Sequence, residues 1–131
     1  MPKLIMMVGP EQTKQVALQP RESRIGRGAA SDIVIDVNRV SRVHALIDVE
    51  DAFVSITDLG SKNGTFVNGA RINEKVFLAD GDTIRMGDCD MRFLSGDQHY
   101  TQIDALRLLT VPGLLIDIDR RAQLPGGKSA T

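Results

Sequence analysis

Apolar residues along this 131-residue chain come in short runs, each stopped by turn-forming residues. Stops recurring at roughly 8–12 residues predict many short β-strands packed as an all-β antiparallel sandwich. The runs place strands over 3–8, 15–18, 23–26, 33–35, 45–50, 52–58, 65–67, 70–72, 75–78, 82–86 and 91–95. Residues 45–50 (ALIDVE) and 53–58 (FVSITD) partly alternate apolar with polar, as half-buried antiparallel strands do, and Glu50-Asp51 makes a tight hairpin between them. Asn63-Gly64, Asn68-Gly69 and Asp80-Gly81 are turn signals, because these residues tolerate positive φ.

The pattern changes after Gly96. Residues 97–109 place Tyr100, Ile103, Ala105, Leu106, Leu108 and Leu109 at spacings that suit one or two amphipathic helical turns. Pro112-Gly113 stops that pattern, residues 114–118 are briefly apolar, and 125–131 read as a flexible end. The expected organisation is therefore one domain over 1–96 and a partly helical extension or linker over 97–131. No internal repeat is present.

Composition narrows the function classes. A net charge of −1 offers no overall field for nucleic acid, so an anionic ligand would need a local basic cluster. The first apolar run, 4–8, is too short for a signal-peptide core or a membrane span. The single cysteine, Cys89, excludes an internal disulfide and suits a reducing compartment. A soluble, cytoplasmic protein without direct membrane insertion is the expectation; the oligomeric state is not legible.

Several polar residues lie at strand ends, where a sandwich clusters its loops: Gly26-Arg27-Gly28, Ser31-Asp32, residues 39–44 (RVSRVH), residues 59–65 (LGSKNGT) and Asn68-Gly69-Ala-Arg71. The set holds Arg, Lys, Ser, Asn and Thr, without the paired carboxylates of acid–base catalysis or a Cys/His metal set. Guanidinium grips phosphate bidentately, and an amide side chain can both donate to and accept from an extended peptide. The chemistry points to a phosphopeptide or another anion.

Gly26-Arg27, Ser31-Asp32-Ile33, residues 40–45 (VSRVHA), residues 58–69 (DLGSKNGTFVNG) and the later Leu78, Asp80-Gly81-Asp82, Ile84 and Met86-Gly87 together resemble the forkhead-associated (FHA) family over about residues 3–95. The resemblance implies a two-sheet sandwich of about eleven strands that reads phosphothreonine in Ser/Thr kinase signalling, without catalytic residues, cofactor or metal; the compact domain and plain composition suggest a bacterial signalling protein. It gives Arg27, Ser41 and Lys62 the phosphate and Arg42 and Asn63 the peptide backbone. Gly26, His44, Gly64, Thr65 and Asn68 become structural supports of the site. No position departs from the family pattern at the phosphate contacts.

Blander readings compete. An isolated arginine is usually a solvated surface group, a serine before a strand is usually a turn residue, and Asn-Gly pairs are turns first. Arg24, Arg39 and Arg71 suit a solvated rim. Gly127-Lys128-Ser129 lacks the preceding glycine and following helix of a phosphate-binding loop. Cys89 stands between Asp88 and Asp90, whose charges oppose a thiolate. The alternative of another class is a phospho-independent scaffold or self-association domain.

Overall fold

A computed structural model of the chain describes residues 1–96 and 100–111. Eleven strands and one helix follow in order: β1 (Lys3–Gly9), β2 (Gln12–Ala17), β3 (Arg21–Gly26), β4 (Ile33–Val34), β5 (Ala45–Glu50), β6 (Phe53–Asp58), β7 (Thr65–Val67), β8 (Ala70–Arg71), β9 (Val76–Phe77), β10 (Thr83–Met86), β11 (Cys89–Leu94) and α1 (Gln102–Thr110). They form two sheets, one ordered β2-β1-β11-β10-β7-β8 and the other β4-β3-β5-β6-β9.

Period-two alternation sends one set of side chains from each sheet into a shared core. Leu4, Met6, Ile84, Met86, Met91 and Phe93 from the first sheet meet Ile25, Ile47, Val54 and Ile56 from the second. Burying each large side chain contributes about 1.5–3 kcal/mol. Pairings are antiparallel apart from β3 with β4, which run parallel with Ile25 opposite Ile33. Local alternation cannot announce that pairing, because β4 is two residues long and reaches β3 after a loop.

Strand limits shift where turns are tighter than apolar spacing suggests. Glu11 takes φ +55°, and the β1–β2 ladder slips its register between Met7 and Gly9. β2 consequently starts at Gln12 rather than 15. Gly87 takes φ +58°, and β11 begins at Cys89 rather than 91. At the β7–β8 turn, Asn68 and Gly69 take φ +50° and +84°, as an Asn-Gly hairpin requires.

The helix expected in 97–109 forms over α1. Thr101 caps its start, its side chain accepting from Asp104 N at 3.0 Å. Ala105 and Leu108 cover Ile5 and Leu94 on the outer face of the first sheet, making a second, smaller core. The Gln102 side chain completes the attachment: its Oε1 accepts from the Thr13 hydroxyl at 2.7 Å and backbone N–H at 3.2 Å, and its Nε2 donates to Thr13 O at 3.1 Å. Residues 97–99, the apolar stretch 114–118, Gly127-Lys128-Ser129 and the end at 125–131 lie outside the described residues.

Candidate functional site

Three loops meet at one end of the sandwich: β3–β4, β4–β5 and β6–β7. Each starts or ends on a buried strand, and backbone hydrogen bonds bind them together. Arg27 N donates to Ser41 O at 2.9 Å and Gly28 N to Arg42 O at 3.0 Å, joining the first loop to the second. Ser31 Oγ adds a bond to Arg42 O at 3.1 Å. This contact has no room for a side chain: a Cβ on Gly26 would lie 2.2 Å from Arg42 O and 2.9 Å from Ser41 O.

Second and third loops are joined through Ser41, Asn63 and His44. Lys62 N donates to Ser41 Oγ at 3.0 Å, and Asn63 Nδ2 donates to Arg39 O at 2.7 Å. His44 is fully buried. Its Nδ1 accepts from Ser41 N at 3.0 Å, so the ring hydrogen rests on Nε2 and is donated to Gly64 O at 2.9 Å. The imidazole thus braces the serine loop against the Asn-Gly turn, and its ring nitrogens are both occupied. Gly64 takes φ +86°, and a Cβ there would press on Arg71 Nε at 2.8 Å.

A carboxylate network that sequence reasoning left without a role shapes the third loop. Asp58 Oδ2 accepts from Gly60 N and Ser61 N, both at 3.0 Å. Its Oδ1 accepts from Ser61 Oγ at 2.6 Å and Thr65 Oγ1 at 2.7 Å. Ser61 Oγ in turn accepts from Gly64 N at 2.9 Å. Burial works to raise the Asp58 pKa, but hydrogen bonds from Ser61, Thr65 and the backbone of Ser61 and Gly60 outweigh it and hold the carboxyl below its ordinary range. The local signal was an Asp three residues before a Ser, an Asx-turn pattern.

These contacts leave particular atoms uncommitted among the described residues. Arg27 spends Nε on Val40 O at 3.0 Å, which aims the guanidinium while its two terminal nitrogens bond no protein atom. Ser41 Oγ accepts from Lys62 N, and its own hydrogen has no protein acceptor. The Lys62 ammonium and Arg42 guanidinium stand exposed without ion-pair partners. Asn63 keeps its carbonyl oxygen. Arg27, Ser41, Arg42, Lys62 and Asn63 are therefore brought together, with Gly26, His44, Gly64 and Thr65 packed beneath.

Asn68 stands apart, at the far end of β7. Its side chain donates to Asp82 Oδ1 and accepts from Thr83 N, both at 3.0 Å, so it clamps β7 to the start of β10. Arg39 is drawn toward Asp88 at 3.7 Å on the β10–β11 turn, and Arg24 lies on the outer face of β3. Cys89 is buried and donates to Met7 O at 3.4 Å. Burial first, then the Asp90 charge, pushes its thiol up to about 11. Burial therefore outranks the neighbouring charges as the reason it is a poor nucleophile.

Comparison with known proteins bears on the family and the fold. Residues 23–87 match the FHA domain family model. The glycogen accumulation regulator GarA of Mycolicibacterium smegmatis is 36% identical over 93 residues, 71% of this chain and 58% of that protein. The chain thus spans less than two thirds of the length of the first curated relatives it matches. Among solved structures, the FhaA FHA domain complexed with the intracellular domain of Rv3910 superposes with a TM-score of 0.64 at 32% identity. That match covers 71% of this chain and 99% of that one. Mycobacterium tuberculosis EmbR in complex with a low-affinity phosphopeptide gives a TM-score of 0.68 at 35% identity, covering 76% and 26% of the two chains. The family-model match and the two-sheet topology shared with these structures agree: the chain belongs to the FHA domain family.

Proposed function

We propose that this chain is a phosphothreonine-dependent peptide-binding module, a cytoplasmic and non-enzymatic adaptor or regulator in Ser/Thr kinase signalling. One observation carries the reading. The terminal nitrogens of Arg27, the hydroxyl hydrogen of Ser41 and the ammonium of Lys62 share one rim, and none has a protein acceptor among the described residues. Three convergent donors, two of them cationic, suit a phosphate dianion in number and charge.

In this mechanism Arg27 takes two phosphate oxygens, Ser41 a third, and Lys62 adds charge from the adjoining loop. Arg42 and the Asn63 carbonyl fix the direction of the peptide backbone. The cradle is built before the ligand arrives, so little conformational entropy is lost on binding. Preference for threonine over serine needs a niche for one methyl, and its burial supplies about 0.8 kcal/mol, roughly fourfold. A larger ratio requires the methyl to restrict the bound rotamer as well.

Isothermal titration with a degenerate phosphothreonine peptide library, its unphosphorylated counterpart and the Arg27→Ala protein tests the reading. Binding should require the phosphate and weaken roughly ten- to hundredfold without the guanidinium. Equal binding of both libraries, or binding unaffected in Arg27→Ala, overturns it.

A further inference from the structure

Two of the chain's four phenylalanines stand in solvent, Phe53 and Phe77, at 66% and 64% exposure. They meet edge to face on the outer side of β6 and β9, with ring centroids 6.3 Å apart and planes at 76°. Together with Asp48, Glu50, Ser55 and Lys75 they line a cavity of about 340 Å³. The cavity lies at the end of β6 away from Asp58, about 15 Å along the strand from the phosphate cradle.

The chemistry of this cavity differs from that of the cradle. The cross-strand row Glu22, Asp48, Ser55, Phe77 runs over the sheet face, and Glu50 pairs with Phe53 beside it. Glu22, Asp48 and Glu50 make no ion pair among the described residues. Lys75, on the same rim, and Arg21, at the far side of the carboxylates, lie beyond ion-pair distance of all three. Ser55 is only 4% exposed and faces the cavity, yet its hydroxyl has no hydrogen-bond partner among the described residues. That hydroxyl is therefore free to donate to or accept from a ligand group that enters the cavity.

We propose that this cavity docks a basic segment of a partner protein through an arginine side chain. Its aliphatic stem lies along the Phe53 and Phe77 rings, whose negative faces also attract the cation. The guanidinium reaches Asp48 and Glu50, and one of its N–H groups donates to Ser55 Oγ. A second copy of this chain fits less well, because a two-fold pairing through this face brings like carboxylates together.

The test is two-dimensional amide NMR of the full chain titrated with an acetylated hexa-arginine amide, with a hexaglutamate peptide as control. Amide shifts should concentrate at Asp48, Glu50, Phe53, Ser55 and Phe77, and hexaglutamate should produce none there. Phe53→Ser and Phe77→Ser should each weaken binding roughly two- to fivefold. Asp48→Asn with Glu50→Gln should abolish it, whereas Arg27→Ala should leave it unchanged, which keeps this site separable from the phosphate reading. Shifts spread over every acidic surface, or none at millimolar peptide, overturn the proposal. So does self-association in sedimentation that Phe53→Ser removes, since a second copy would then be the occupant.

Discussion

Replacing Gly26 with alanine adds one methyl group at the tightest point of the cradle. The new Cβ would lie 2.2 Å from Arg42 O, 2.8 Å from Arg42 C and 2.9 Å from Ser41 O, all backbone atoms that no rotamer change can withdraw. Reaching ordinary contact, near 3.4 Å, means separating the two segments by about 1.2 Å. The bonds from Arg27 N to Ser41 O and from Gly28 N to Arg42 O, 2.9 and 3.0 Å long, do not survive that movement. Two strained or orphaned backbone pairs cost about 2–4 kcal/mol. For a domain near this size, that lowers the melting temperature by roughly 10–30 °C.

Affinity should fall as well, although no phosphate-contacting residue has been touched, because Arg27 and Ser41 lie on opposite sides of the widened gap. Gly28→Ala is the matched control. Its Cβ approaches Arg42 O at 3.1 Å, so a few tenths of an ångström suffice and the cost stays under about 1 kcal/mol. Thermal melts followed by circular dichroism, paired with phosphopeptide titration at a temperature where both proteins are folded, give the two readouts. A Gly26→Ala protein as stable as the parent refutes the reasoning. So does one more stable by the ~0.4–1 kcal/mol expected from unfolded-state entropy alone.

Three further outcomes follow from the same contacts. His44→Ala leaves Ser41 N and Gly64 O without their partner, at about 1–3 kcal/mol for each group, and urea denaturation showing a loss below about 1 kcal/mol counts against the brace. Asp58 has its pKa lowered in the fold, so its stabilisation is complete above the unfolded value near 3.8 and fades as pH falls through the lower folded value. The stability gap between the parent and Asp58→Asn should hold from neutral pH down to about 4 and narrow only below it; a gap that closes between pH 7 and 5 contradicts the network. The Cys89 thiol, buried and shifted to about 11, should resist iodoacetamide at neutral pH until the protein is unfolded, and rapid labelling of the native chain would show the burial to be wrong.

Short-range information was sufficient for the strands and most turns. Period-two apolar placement decides which face of a strand is buried, and Asn68-Gly69 and Asp80-Gly81 mark turns through backbone freedom that only a few residues possess. The loop residues were legible for a different reason. Arg27, Ser41, Arg42, Lys62 and Asn63 are polar groups at strand ends that no periodicity demands, and their spacing matches a family pattern.

What the tertiary structure decided depends on atoms distant in the sequence. Gly26 carries no positive φ; its requirement for glycine comes from Arg42 O, sixteen positions further on, crossing at 2.2 Å from where a Cβ would stand. Asp58 became a loop organiser only once Thr65 closed on it, and Asn68 proved to clamp Asp82 and Thr83 rather than touch the cradle. Helix α1 read as an extension by composition, but its small apolar face covers Ile5 and Leu94, which strand alternation alone leaves facing outward. Likewise, Phe53 and Phe77 lie 24 positions apart, and only the β6–β9 ladder brings them side by side over Ser55. Periodicity specifies which side of an element is apolar; which element meets that side is settled by packing across the whole chain.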